Sequence, residues 1–121
     1  MVHLEGGEFQ MGNDRDYGFP DDGEGPVHPV RVDPFWIDRT VVTNDQFSTF
    51  VETTKYKTEA EEFGWSFVFE GHLSNKLLKR LQPNRVVGSQ WWCRIEGATW
   101  RKPEGTGLNI RKRGNYPVVH V

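Results

Sequence analysis

Three of the chain's five tryptophans fall inside residues 91–105, Trp-Trp-Cys-Arg-Ile-Glu-Gly-Ala-Thr-Trp-Arg-Lys-Pro-Glu-Gly, together with its only cysteine. Tryptophan is large and its buried indole N–H needs a partner. Three within ten residues therefore mark either a packing centre or a binding surface. A Pro-Glu-Gly turn closes the stretch, and the whole chain of 121 residues holds 13 glycines and 7 prolines. Frequent breaks around bulky aromatic residues suit a loop-rich α+β fold rather than a helical bundle.

Length points to one domain, large enough to bury a core. With 36% hydrophobic residues the chain is too apolar for a disordered one. No apolar run approaches the length of a membrane span, so no membrane partner is expected. The first residues, Met1-Val2-His3-Leu4-Glu5, lack the basic and apolar regions of a signal peptide. One cysteine excludes an internal disulfide and a multi-cysteine zinc site. That fits a reducing compartment, or a fragment cut from a longer secreted chain.

Net charge is −2, unevenly spread: residues 1–71 carry 5 Lys/Arg and 15 Asp/Glu, and residues 72–121 carry 10 and 2. An acidic and a basic half folding against each other accounts for this. The basic residues are scattered among loops rather than set on one helix face, so no nucleic-acid partner is expected.

Residues 2–12 read as a strand with apolar positions Leu4, Phe9 and Met11 and a kink at Gly6-Gly7. Residues 13–26 form a polar loop whose carboxylates lack the spacing of a calcium-binding loop. In residues 27–42, Val30/Val32 and Phe35/Ile37 alternate with polar residues. That is one half-buried strand, or two separated at Asp33-Pro34. Thr43-x-x-Gln46 is a capping box that opens a helix fading near Thr53-Thr54, with Phe47, Phe50 and Val51 on one face. A second box, Thr58-x-x-Glu61, starts a short helix that Gly64 ends. Residues 65–69, Trp-Ser-Phe-Val-Phe, read as a strand. Leu73, Leu77, Leu78 and Leu81 fit an amphipathic helix closed by Pro83, and residues 84–90 read as loop. Residues 116–121 form an apolar strand pattern that stops without a turn or cap, as a truncated chain would.

Common catalytic motifs are absent: no glycine-rich phosphate loop, no His-Glu-x-x-His, no Gly-x-Ser-x-Gly. The four histidines are widely spaced, and His28 and His120 fall in strand patterns that suit satisfied structural side chains. Arg94 could activate Cys93, but a buried apolar thiol is the simpler reading. Glu59, Glu61 and Glu62 read as an exposed first turn, and Trp36, Phe47 and Phe50 as core.

The order of motifs is more specific than any one of them. It begins with Gly6-Gly7-Glu8-Phe9-Gln10-Met11-Gly12 and continues with Val42-Thr43-Asn44. Then come Thr58-Glu59-Ala60-Glu61-x-Phe63-Gly64-Trp65-Ser66-Phe67-Val68-Phe69-Glu70-Gly71 and the Trp91-Trp92 segment through Glu104-Gly105. Pro117-Val118-Val119-His120-Val121 closes the series. In this order the chain resembles the formylglycine-generating enzyme family, the sulfatase-modifying factors. The match runs over residues 1–121 as the N-terminal part of that domain.

The resemblance implies a C-type-lectin-like α+β fold with little regular secondary structure, incomplete here. It implies an oxidoreductase that converts the cysteine of a Cys-x-Pro-x-Arg motif in sulfatases to Cα-formylglycine. Oxygen and copper(I) would serve that reaction, the metal held by two cysteine thiolates, and soft sulfur suits Cu(I). Those cysteines, and the family's structural calcium ligands, belong to a C-terminal half that is a further expected partner. Cys93 matches neither copper ligand, so this chain by itself is expected to be inactive. What it can carry is part of the groove for the sulfatase polypeptide. Motif position assigns that role to Ala60, Trp65 and Ser66, against ordinary packing around a short helix. The tryptophans then read mainly as packing. Tyr116 stands where the family commonly has histidine, which leaves room for a non-catalytic sulfatase- or ligand-binding paralogue. Localisation would be cytoplasmic for a bacterial protein, or the endoplasmic reticulum lumen for an animal one.

Overall fold

The computed structural model describes residues 1–15, 20–105, 107 and 109–121. It has two compact units, Met1–Thr40 and Val41–Val121. Short antiparallel strands, short helices and long connections make it an α+β structure.

The first unit is one bent hairpin. Strands β1 (Val2–Leu4) and β4 (Phe35–Ile37) pair at one end, and β2 (Gly7–Met11) and β3 (His28–Val32) at the other. The two interruptions face each other, because Leu4 pairs with Phe35 and Gly7 with Val32. Gly6 sits at φ +73°, and a Cβ there would run into the Val32 carbonyl oxygen. Only glycine accepts both conditions. The region after the loop is thus two strands, with Asp33-Pro34 as the break.

Residues 16–19 of the polar loop lie outside the described residues. Its flanks are tied by Asn13 N–H to Glu24 C=O at 2.8 Å and Val27 N–H to the Asp14 carboxylate at 2.8 Å. Trp36 is not core: it is 65% exposed and touches the His3 ring, centroids 4.9 Å apart. Period two sorts side chains between faces, but burial needs a second layer, and the unit's two-stranded ladders supply none within it.

The second unit contains helices α1 (Asn44–Thr54), α2 (Glu59–Phe63) and α3 (Asn75–Leu81) and strands β5 (Trp65–Phe69), β6 (Arg85–Val86) and β7 (Ser89–Glu96). Both capping boxes form. The hydroxyls of Thr43 and Thr58 accept the amides of Gln46 and Glu61, whose side chains return to the cap N–H groups. Lys55 and Gly64 end these helices in the left-handed conformation. On α1, Val51 is buried and Phe47 half-buried, but Phe50 is exposed beside Phe47 and Tyr56, so it is not core either.

The central sheet has the order β5-β7-β6. Its inner face carries Val68 opposite Cys93 and Ser66 opposite Ile95. Val68, Cys93 and Ile95 form the core with Leu73 and Ala98, and Leu77 and Leu78 pack against it. The outer face carries Trp65, Phe67 and Phe69 opposite Glu96, Arg94 and Trp92. Trp100 is buried and meets Phe47 edge-on at 5.1 Å. Of the three clustered tryptophans it alone is interior packing; Trp91 and Trp92 are substantially exposed.

Three local expectations change. Leu73 precedes α3 rather than joining it, because the Ser74 hydroxyl caps Leu77 N–H and starts the helix one residue later. Residues 84–90 are not loop but the β6–β7 hairpin, turned through Val87-Gly88 with Gly88 at φ +81°. A positive φ at the second turn position is the glycine requirement of a type II turn. Residues 116–121 form no strand. Pro117 makes one bridge to Thr43, and Val118 N–H reaches Val42 C=O at 3.0 Å. Pro117 lacks an N–H and His120 turns to φ +60°, so no ladder can extend.

Within this unit two ion pairs join the acidic and basic stretches, Arg85–Glu70 and, at 2.8 Å, Arg101–Glu61. Glu61, half-buried and engaged in both its capping box and this ion pair, is not part of a free acidic surface.

Candidate functional site

Ala60, Trp65 and Ser66 come together. All three line one pocket of about 220 Å³, with Glu59, Phe63 and His120 among its other walls. The capped helix α2 supplies Ala60 and the αL turn at Gly64 reverses the chain into β5. That brings Trp65 and Ser66 back beside the helix. Alternation along β5 then sends the two side chains to opposite faces.

Trp65 is held on the outer face. Phe63 stacks on it with centroids 6.1 Å apart, Phe67 meets it edge-on at 5.1 Å, and the Arg94 guanidinium lies 4.2 Å over its ring. A cation over an indole face is attracted by the ring quadrupole and fixes both groups. Arg94 also bonds Glu96 at 3.0 Å, so the guanidinium is anchored from two sides.

Ser66, turned inward, lies 2.9 Å from His120 Nδ1. The other ring nitrogen, Nε2, donates to the Pro103 carbonyl at 3.0 Å. His120 is thus the satisfied structural histidine that its sequence position suggested, though not within a strand. Burial pushes its pKa below the ordinary value, while the Pro103 carbonyl and the Glu104 carboxylate pull weakly the other way. Glu104 itself is bound by the Arg113 guanidinium at 2.6 and 3.0 Å.

A second cavity of about 320 Å³ adjoins the first through Phe67 and His120 and is lined by Phe69, His72, Trp92 and Glu104. Histidines distant in sequence, His72 and His120, therefore face one space. Period-two reading of residues 65–69 could have found the outer aromatic row. The Ser66–His120 contact joins positions 54 apart and has no local signal.

Metal ligation does not fit these residues. Cys93 is the one cysteine of the chain and is fully buried opposite Val68, so no pair of thiolates can form within it. Among the described residues no group of three or more His, Cys, Asp or Glu side chains could hold an ion, calcium included. No helix among them is long and apolar enough to cross a membrane. The recess thus has an aromatic wall on one side and a serine hydroxyl on the other.

The family model for the sulfatase-modifying factor enzyme 1-like domain matches residues 1–121. The chain belongs to this family. Among its relatives, the formylglycine-generating enzyme of Thermomonospora curvata is 47% identical over the whole chain and 39% of that protein. The Streptomyces coelicolor enzyme of the same name is 48% identical, again over 39% of its length. The Bos taurus protein called inactive C-alpha-formylglycine-generating enzyme 2 is 51% identical over 39% of its length. The chain thus spans about two fifths of these relatives, one of which is named as inactive.

Proposed function

We propose that this chain forms part of the peptide-binding groove of a formylglycine-generating enzyme domain acting on sulfatase polypeptides. The observation that carries the reading is the convergence of Ala60, Trp65 and Ser66 on one pocket. A recess with an aromatic wall and one inward hydroxyl suits one or two side chains of a peptide segment. The loop-rich α+β architecture of short antiparallel strands is compatible with a C-type-lectin-like domain.

The oxidation of a substrate cysteine would need copper and oxygen. The residues of this chain do not supply a two-thiolate site, so no step of that chemistry is assigned to them. Their part is to bind and orient the peptide.

Titration of the chain with a Cys-x-Pro-x-Arg peptide, followed by tryptophan fluorescence and calorimetry, tests the proposal. Binding should weaken in Trp65→Ala and Ser66→Ala and be absent for a scrambled peptide. Equal affinity for the scrambled peptide would defeat it.

A second reading, a binding paralogue without catalysis, is favoured by the 51% identity to the Bos taurus protein named inactive C-alpha-formylglycine-generating enzyme 2. Peptide capture without formylglycine formation when copper and oxygen are supplied to the longer protein would distinguish it.

A further inference from the structure

We propose that His120 is a positioning residue that fixes the hydrogen-bond polarity of Ser66. The pocket shared with Ala60 and Trp65 then receives a donor group, an N–H or O–H of its ligand, at the serine oxygen. The identity of the peptide rests on the function proposed above; the polarity does not.

The argument is one of counting protons. The Pro103 carbonyl can only accept, so Nε2, 3.0 Å away, must carry a hydrogen. A neutral imidazole has one N–H, which leaves Nδ1 as a bare acceptor. Ser66 Oγ, 2.9 Å from Nδ1, must therefore donate its single hydrogen to the ring. Only lone pairs remain on the serine oxygen to face the pocket. A carbonyl or carboxylate there would meet lone pairs and lose its hydration without return, whereas an amide or guanidinium N–H would be satisfied. The Glu59 carboxylate on the same pocket favours the same polarity.

Three further observations support the assignment. Burial disfavours the protonated form of the ring. The Glu104 carboxylate, whose charge would favour the protonated ring, is held by both nitrogens of the Arg113 guanidinium. His120 also sits at φ +60°, a conformation costly for a non-glycine residue, which places its ring between Ser66 and Pro103. Simple space-filling would not require a two-sided acceptor and donor at that position.

Long-range proton–nitrogen NMR on the ¹⁵N-labelled chain reads the tautomer directly. The expected result is a protonated Nε2 and an unprotonated Nδ1; a proton on Nδ1 at neutral pH overturns the proposal. The second arm uses Cys-x-Pro-x-Arg peptides in which each backbone N–H in turn is replaced by an ester oxygen, or the arginine by norleucine. One replacement should weaken binding to the wild-type chain about tenfold, the scale of a lost hydrogen bond, and leave binding to Ser66→Ala unchanged. Identical loss profiles for the two chains overturn it. His120→Asn, which tolerates positive φ and keeps an acceptor, should retain the discrimination, and His120→Leu should lose it. If no peptide binds at all, the sulfatase-directed reading falls, and the tautomer alone decides the polarity of Ser66.

Discussion

The Glu104 carboxylate receives both terminal nitrogens of Arg113, at 2.6 and 3.0 Å, although its side chain is almost withdrawn from water. The pair ties the Pro-Glu-Gly turn to a segment whose backbone is itself engaged. Arg113 C=O accepts from Asn44 Nδ2 at 2.8 Å, and Asn44 N–H reaches Tyr116 C=O at 2.9 Å. Two parallel charge-assisted bonds fix direction as well as distance. Arg113→Ala should cost about 2–3 kcal/mol, because the buried carboxylate loses its partner. Arg113→Lys should recover only part of that, since an ammonium cannot make the forked contact. Equilibrium urea unfolding measures both; a lysine variant as stable as wild type would refute the bidentate account.

Thr58 is fully buried and caps α2, the helix that presents Ala60 to the pocket. Thr58→Ala should destabilise by about 1–2 kcal/mol, at the upper end for a cap, since a cavity is added to a lost hydrogen bond. Thr58→Val keeps the volume and isolates the cap. Thr43→Ala, at a half-buried cap of the same design, should cost less. Thermal unfolding of the three variants would show the order, and the reverse order would count against burial as the difference.

His120 gives the stability a pH dependence of definite sign. Its folded pKa is held below the ordinary 6.5 by burial. As pH falls below about 6.5 the unfolded chain takes up a proton that the folded chain refuses, so stability drops. The contribution is complete above that value and is lost on acidification toward the folded pKa. His120→Asn should remove this part of the profile. Urea midpoints collected between about pH 7.5 and 5 test it, and parallel curves for the two chains would contradict it.

Cys93 has no exposed surface and lies opposite Val68 in the core. A thiol reagent should modify it only as fast as the sheet opens, and at once in denaturant. Cys93→Ser should cost about 1–3 kcal/mol, since a hydroxyl without a partner is placed among apolar neighbours. Rapid native labelling would place the thiol at the surface instead.

Gly105 lies at φ +78°, and a Cβ there would stand 2.7 Å from Ile95 Cγ2 and 3.0 Å from Glu96 C=O. Gly105→Ala should therefore destabilise by more than about 1 kcal/mol, from backbone strain and a clash with a core side chain together. A neutral result in urea unfolding would show that the turn can shift.

Local chemistry was legible in the chain. Thr43 with Gln46, and Thr58 with Glu61, announce helix starts because a cap is settled within four residues. Gly6 and Pro34 announce the bend in the first hairpin for the same reason. Legibility fails where the deciding partner is distant. The Val87-Gly88 turn became a hairpin because β7 offers Arg85 and Val86 a strand to pair with. The end segment, apolar and alternating, did not become a strand because Pro117 and the αL His120 deny it a ladder.

The sequence by itself determined the family and the placement of Ala60, Trp65 and Ser66 beside a short capped helix, and it favoured the burial found for Cys93. It could not determine which side chains are covered, since Trp36 and Phe50 have core-like patterns and remain exposed. Nor could it join Ser66 to His120. Periodicity and capping act over a few residues, whereas burial and the polarity of a hydrogen bond depend on what the rest of the fold brings alongside. Tertiary structure alone put the Pro103 carbonyl against one side of the His120 ring and the Ser66 hydroxyl against the other.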